Sequence, residues 1–147
     1  MPRVMTAARK LNNGMGEYVA HEVVKLMNKK GILVKNAQIL ILGITFKENC
    51  PDLRNTRIVD IYNVLKEYTP NITMFDPHAN PKEIEEEYQI SIETDQIERF
   101  SRKFDAIILA VAHNEFKTMN LREFGKQNCV VYDVKGVVAR EQVDGRL

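Results

Sequence analysis

Two cations stand close together in the segment Phe46-Lys47-Glu48-Asn49-Cys50-Pro51-Asp52-Leu53-Arg54-Asn55-Thr56. Lysine presents a compact point charge to a phosphate, and arginine presents a planar fork of donors. Where such a segment leaves a strand and opens a helix, the first main-chain N–H groups of the helix add donors and the positive end of a dipole. A diphosphate is the ligand class that this combination suits. A plainer alternative stays open on spacing alone, in which Lys47 pairs with Asp52 and Arg54 is solvated surface. Cys50 lies in the same segment, but no histidine is near it in sequence and proline follows directly, so it reads as a packed or inert thiol.

The remaining candidates are scattered. His21, His78 and His113 show neither the clustering nor the i,i+4 spacing of metal ligands. His113 follows an apolar run and could touch a ligand or make a local structural hydrogen bond. Asp76 precedes Pro77, where it could accept from a ribose hydroxyl or simply form the turn. Lys135, in Asp133-Val134-Lys135-Gly136, could add a cation to the same rim or be solvated. Cys129 reads as core. Glu83 to Glu87 reads as a solvated acidic face. The dinucleotide fingerprint GxGxxG is absent: Gly14-Met15-Gly16 lacks the third glycine and follows no strand, so binding of NAD by these residues unaided is not expected.

The elements that must position these residues are legible as an alternation. Val4, Ala8, Leu11, Met15, Val19, Val23 and Leu26 recur every three or four residues, which predicts one amphipathic helix over Pro2–Lys30 with Gly31 as its C-cap. Gly14 and Gly16 are the points where it would kink. At about 1.5 Å per residue it would run roughly 43 Å, more than a small domain can cover. Gln38–Phe46 reads as a buried strand and Thr56–Tyr68 as a helix. Ile72–Phe75 reads as a strand, Pro81–Tyr88 as a short acidic helix, Ile90–Ile92 as a brief strand and Asp95–Phe100 as a helix. Phe104–Ala112 reads as a buried strand, Leu121–Gly125 as a helical stretch and Cys129–Val134 as a last strand. Buried strands alternating with helices imply parallel βαβ units. The expected fold is a Rossmann-like three-layer α/β domain of about five mostly parallel strands, preceded by a long N-terminal helix.

Composition narrows the classes. The chain has 147 residues, 44% hydrophobic and 28% charged, the profile of a globular domain. Lys plus Arg is 21 and Asp plus Glu is 20, a net charge of +1, which gives no electrostatic case for nucleic acid or an anionic membrane. The longest apolar runs fall far short of the roughly 20 residues that span a bilayer, and the N-terminus has no signal-peptide core. Two isolated cysteines suggest a reducing cytoplasm.

Gly43-Ile44-Thr45-Phe46-Lys47-Glu48-Asn49-Cys50-Pro51-Asp52-Leu53-Arg54 resembles the C-terminal-domain signature of the UDP-glucose/GDP-mannose dehydrogenase family, G-x-x-[FY]-K-x-[ND]-x-x-D-x-R. Phe75-Asp76-Pro77 resembles the aromatic-Asp-Pro after that family's next strand. Asp105 through Phe116 and Asp133-Val134-Lys135-Gly136 resemble its late strand and closing segment. Arg9-Lys10-Leu11-Asn12-Asn13 resembles the central helix that joins its two Rossmann-like domains and forms its dimer. The wording NCPDLRNTR with AVAHNEF is most similar to the branch oxidising UDP-N-acetylhexosamines.

The resemblance implies two successive NAD-dependent oxidations at C6 of a nucleotide sugar, from alcohol to carboxylate, supplying polysaccharide precursors. It implies that Phe46 and Lys47 contact the UDP-sugar, Lys47 at the diphosphate, that Lys135 falls near a substrate-binding basic position, and that Arg54 reaches the NAD. The family's cofactor sits mainly on an N-terminal domain, and its catalytic cysteine lies in a glycine-rich segment before the central helix. Neither is present in these residues and Cys50 does not match that cysteine, so the chain alone is expected to be inactive, with no catalytic residue of its own. Residues 1–30 are then the central, dimerising helix and residues 31–147 the UDP-sugar-binding domain. The partners implied are a UDP-sugar, the enzyme's N-terminal domain and a second copy. Two non-enzymatic readings compete: a receiver-like signalling domain, which would need an acidic cluster where Phe46 and Lys47 stand, and a pure dimerisation module.

Overall fold

A computed structural model of the chain describes residues 14–45, 48–51 and 57–147. Six parallel strands form one sheet: β1 (Ile39–Leu42), β2 (Ile72–Phe75), β3 (Ile92–Glu93), β4 (Phe104–Leu109), β5 (Gly125–Asp133) and β6 (Gly145–Arg146), in the spatial order β3-β2-β1-β4-β5-β6. The helices are α1 (Met15–Lys29), α2 (Ile58–Lys66), α3 (Pro81–Tyr88) and the single turn α4 (Asn114–Lys117). Short 3-10 turns occupy Val34–Asn36, Ile97–Phe100, Leu121–Phe124 and Arg140–Gln142. Among the described residues no helix is long and apolar enough to cross a membrane.

The continuous apolar runs have a direct cause, because both faces of the sheet are covered. Ile39 and Ile41 of β1, Ala106 and Ile108 of β4, and Val130 and Tyr132 of β5 pack into one core with α1, α2 and α3. Leu40, Leu42, Ile107, Leu109 and Val131 pack into the other with Phe100, Phe116, Leu121 and Phe124. Neither face of β1 is in water, so the strand carries no polar alternation. Burying each such aliphatic side chain is worth about 1.5–3 kcal/mol.

The two cores also show the winding. The crossovers β1–α2–β2 and β2–α3–β3 lie on the α1 face, while the connections to β4, β5 and β6 lie on the opposite face. The direction of winding therefore reverses between β1 and β4. In an open parallel sheet that reversal opens a crevice at the carboxyl ends of the two strands.

Local signals account for the element ends. Lys30 and Gly31 close α1 in a Schellman motif, with Ile32 N–H donating to Met27 O (3.0 Å), Gly31 N–H to Asn28 O (3.1 Å) and Gly31 at φ +75°. Asn80 caps α3 by accepting from Lys82 N–H (3.0 Å), and Pro81 fills its first turn. Gly14 is the N-cap of α1 and Gly16 lies in its first turn. A Cβ there would stand 2.5 Å from Asp60 Cβ and 3.1 Å from Arg57 O, so its hydrogen lets α1 lie against α2.

Several expected boundaries shift. β1 stops at Leu42 and β4 at Leu109, both earlier than expected, whereas β5 starts at Gly125, four residues before the expected Cys129. The helix expected over Asp95–Phe100 is a 3-10 turn from Ile97. β3 is Ile92–Glu93, and the sixth strand, β6, was not expected. The portion of the first helix expected before Gly14, the strand end expected at Phe46 and the helix start expected at Thr56 lie outside the described residues.

Candidate functional site

At the reversal point the strand ends approach unusually closely. Gly43 follows β1 at φ +101°, and a Cβ on it would meet Val111 Cβ at 2.6 Å and Val111 N at 2.9 Å. Leu42 O accepts from Ala110 N–H (2.9 Å) and Val111 N–H (3.2 Å), and Gly43 N–H donates to Phe75 O (2.8 Å). Only glycine combines that φ with that proximity. The chain leaving β1 is thus tied to β2 on one side and β4 on the other.

Asp76, at the end of β2, is fully buried. Its Oδ2 accepts from Ile44 N–H (2.7 Å) and Thr45 N–H (3.2 Å), and its Oδ1 accepts from His78 N–H (2.8 Å). His113, just past β4 and equally buried, places Nε2 2.9 Å from Asp76 Oδ2 and 3.2 Å from Thr45 Oγ1. Burial would raise the Asp76 carboxyl, but the hydrogen bond from His113 and those from Ile44 and His78 N–H together hold it below the ordinary carboxylate range.

The other nitrogen of His113 fixes its tautomer. Nδ1 lies 2.7 Å from Asn49 N and accepts that N–H, which leaves the ring proton on Nε2, facing Asp76. Asn49 adopts a left-handed conformation (φ +59°), and its Oδ1 accepts from Asn114 N–H at the start of α4 (2.9 Å). Above this pair, His78 Nε2 bonds Glu115 (2.9 Å), and that bond holds the Glu115 carboxyl below its usual range. The His78 and His113 rings lie 4.4 Å apart.

Of the residues expected to bind ligand, Phe46, Lys47 and Arg54 lie outside the described residues, as does Asp52. Their described neighbours Thr45 and Asn49 are both bonded to His113. Lys135 is exposed on the turn after β5, a turn shaped by the buried Asp133, whose carboxylate accepts from Lys135, Gly136 and Val138 N–H (2.9, 2.9 and 2.7 Å). Asp76 has both oxygens committed inside the protein, which favours the turn-forming role over the ribose contact. Cys129 is buried core, and burial pushes its thiol up. Cys50 is a partly buried free thiol. Among the described residues no cluster of His, Cys, Asp or Glu could hold a metal.

The pairing of Asp76 with His113, and the place of Asn49 between them, escaped sequence reasoning. Strand order brings them together: β2 and β4 flank β1, so a polar residue just past either strand is delivered to the end of β1. A dinucleotide cradle does not fit the described residues, because β1 is not followed directly by a glycine-rich helix start and α2 begins only at Ile58.

A family model described as the UDP-glucose/GDP-mannose dehydrogenase family, UDP binding domain, matches residues 40–140. The chain is 46% identical over 149 residues to a UDP-N-acetyl-D-glucosamine 6-dehydrogenase of Salmonella typhi, covering 99% of this chain and 34% of that protein. It is 45% identical over 150 residues to the protein of that name in Pseudomonas aeruginosa, covering 99% and 35%. The chain thus spans about a third of the length of these curated relatives. Among solved structures, an NDP-N-acetyl-D-galactosaminuronic acid dehydrogenase of Methanosarcina mazei Go1 superposes with TM-score 0.80 at 19% identity, covering 93% of this chain and 28% of that one. A UDP-D-ManNAc dehydrogenase of Pyrococcus horikoshii gives 0.77 at 21%, covering 95% and 32%, and both likenesses bear on the fold. By the match over residues 40–140 and the identity to these relatives, the chain belongs to the UDP-glucose/GDP-mannose dehydrogenase family, residues 40–140 matching its UDP binding domain.

Proposed function

We propose that this chain is the nucleotide-sugar-binding part of an NAD-dependent UDP-N-acetylhexosamine 6-dehydrogenase, which oxidises the C6 alcohol of a UDP-sugar to a carboxylate in two steps. The observation that carries the reading is the bonding of Thr45 and Asn49 to His113 at the reversal point of the sheet, which holds the flanks of Phe46-Lys47 at the crevice where such sheets bind ligands. The names of the 46% and 45% identical relatives support the substrate class.

In this reading Lys47 neutralises the substrate diphosphate, Phe46 and Lys135 contact the same substrate, and Arg54 reaches toward the cofactor. NAD, when bound, accepts hydride and is held mainly by polypeptide that the relatives possess outside the span matched here, as is the catalytic cysteine. The contribution of this chain is to bind and orient, which accelerates a reaction without a reacting group of its own. The isolated chain is then inactive. It pairs with a second copy through residues 1–30, operates in the cytoplasm, and carries its ligand site on residues 31–147. The receiver-like alternative is disfavoured by strand order, since receivers run 2-1-3-4-5 and this sheet runs 3-2-1-4-5-6.

Calorimetric titration with UDP tests the site. Binding that weakens by about tenfold or more in Lys47→Ala, equivalent to roughly 1.4 kcal/mol, is expected. Equal binding by parent and variant overturns the assignment. Sedimentation of the chain with and without residues 1–30 tests the pairing.

A further inference from the structure

We infer that Asn49 is a positioning residue: a two-ended clip that fastens the segment leaving β1 onto the β4–α4 turn and thereby sets affinity for the nucleotide sugar. The inference rests on the proposed UDP site and goes beyond it by assigning that function to a residue that carries no charge.

The two ends of the clip are chemically distinct. The main-chain N–H of Asn49 donates to His113 Nδ1 at 2.7 Å, and its side-chain Oδ1 accepts from Asn114 N–H at 2.9 Å. A residue at φ +59° that is not glycine is uncommon, and asparagine is among the types that tolerate it. The side chain is exposed and fills no core. Its bonds therefore do little for the stability of the sheet, which is held by the two buried cores. They close a loop whose other end is fastened by Ile44 and Thr45 N–H to Asp76. The sequence between the two fastenings is Phe46-Lys47-Glu48, the stretch that carries the proposed diphosphate-binding lysine. An unfastened loop must be ordered when ligand binds, and that ordering weakens affinity.

Substitution separates this from a structural role. Asn49→Gly keeps the backbone conformation accessible and the main-chain donor, but deletes the bond to Asn114. Asn49→Asp keeps an acceptor at the same place. In the full 147-residue chain, UDP affinity should fall roughly five- to tenfold in Asn49→Gly, the effect of one lost hydrogen bond, and return to within about twofold in Asn49→Asp. The midpoint of thermal unfolding should stay within about 2 °C of the parent in both. Amide hydrogen exchange in residues 44–50 should quicken in Asn49→Gly alone. Unchanged UDP affinity in Asn49→Gly beside a parent that binds overturns the clip while leaving the proposed site intact. Loss of affinity that Asp fails to restore, or that tracks a drop in unfolding temperature, overturns it equally. A parent that binds no UDP overturns the proposed site, and the ligand role of the clip with it.

Discussion

His113 Nε2 lies 2.9 Å from Asp76 Oδ2, and both residues are withdrawn from solvent although they end different strands on opposite sides of β1. The pair bridges over the first strand and grips what leaves it. Asp76 performs four tasks with two oxygens, accepting from Ile44, Thr45 and His78 N–H and from the imidazole. Removing a buried hydrogen-bonded carboxylate of this kind costs about 3–5 kcal/mol, so Asp76→Ala should lower the urea midpoint sharply without changing the m-value.

Acid should weaken the same carboxylate. Its pKa is lower in the folded chain than in the unfolded chain, so folding holds fewer protons near that value. The resulting stabilisation is fully present above the ordinary carboxylate range and disappears as pH falls through the lower folded value. Asp144 behaves in the same way, since burial opposes ionisation but bonds from Lys30, Val131 N–H and Arg122 outweigh it. Unfolding free energy should therefore be level near neutrality and fall below about pH 4, with a shallower fall in Asp76→Asn. An acid limb identical in parent and variant would contradict the account.

The hydrogen bonds of His113 predict its spectrum. Imidazole 15N shifts of the neutral ring should show the tautomer with its proton on Nε2, because Nδ1 accepts from Asn49 N–H. His113→Asn keeps an acceptor near the place of Nδ1, and His113→Gln keeps a donor near that of Nε2. Amide exchange at Asn49 should accordingly quicken in the glutamine variant more than in the asparagine variant.

Gly43→Ala should be among the most damaging single changes. It combines a left-sided φ of +101° with a Cβ 2.6 Å from that of Val111, and neither β1 nor β4 can retreat because both are buried on two faces. Strain and overpacking together predict about 3 kcal/mol or more of destabilisation, measurable by chemical unfolding.

At the far end of the sheet, Asp144 accepts from Val131 N–H (2.8 Å) and pairs with Arg122 (2.9 Å) and Lys30 (2.8 Å), whose Nζ also donates to Cys129 O (2.6 Å). Asp144→Ala should cost about 2–4 kcal/mol and quicken amide exchange at β6 and the end of α1 together, since one carboxylate holds both.

Much of this was legible in the sequence, for identifiable reasons. Ile72–Phe75 and Pro81–Tyr88 fall where expected because a turn-forming Asp-Pro and an Asn-Pro cap punctuate them, and Gly31 ends α1 as its position implies. The start of β5 was hidden because Lys126, Gln127 and Asn128 are exposed and polar, running through a register shift against β4. β6 was hidden because two residues, Gly145 and Arg146, carry no period. Strand order is not written in local pattern at all, and the meeting of Asp76, His113 and Asn49 depends wholly on it. A solitary histidine and an Asp before proline looked ordinary singly. Only the order β2-β1-β4 makes them neighbours.

The ties at Lys30 have a mechanical meaning. Asn128 Nδ2 also donates to Lys30 O (2.9 Å), so the carboxyl end of α1 is riveted to the start of β5 through side chain and main chain alike, while Gly16 beds its other end against α2. Helix and sheet then turn as one lever. A force applied to the outer side of α1 is therefore passed to the sheet and to the strand ends of β1 and β4, with no hinge among the described residues between them.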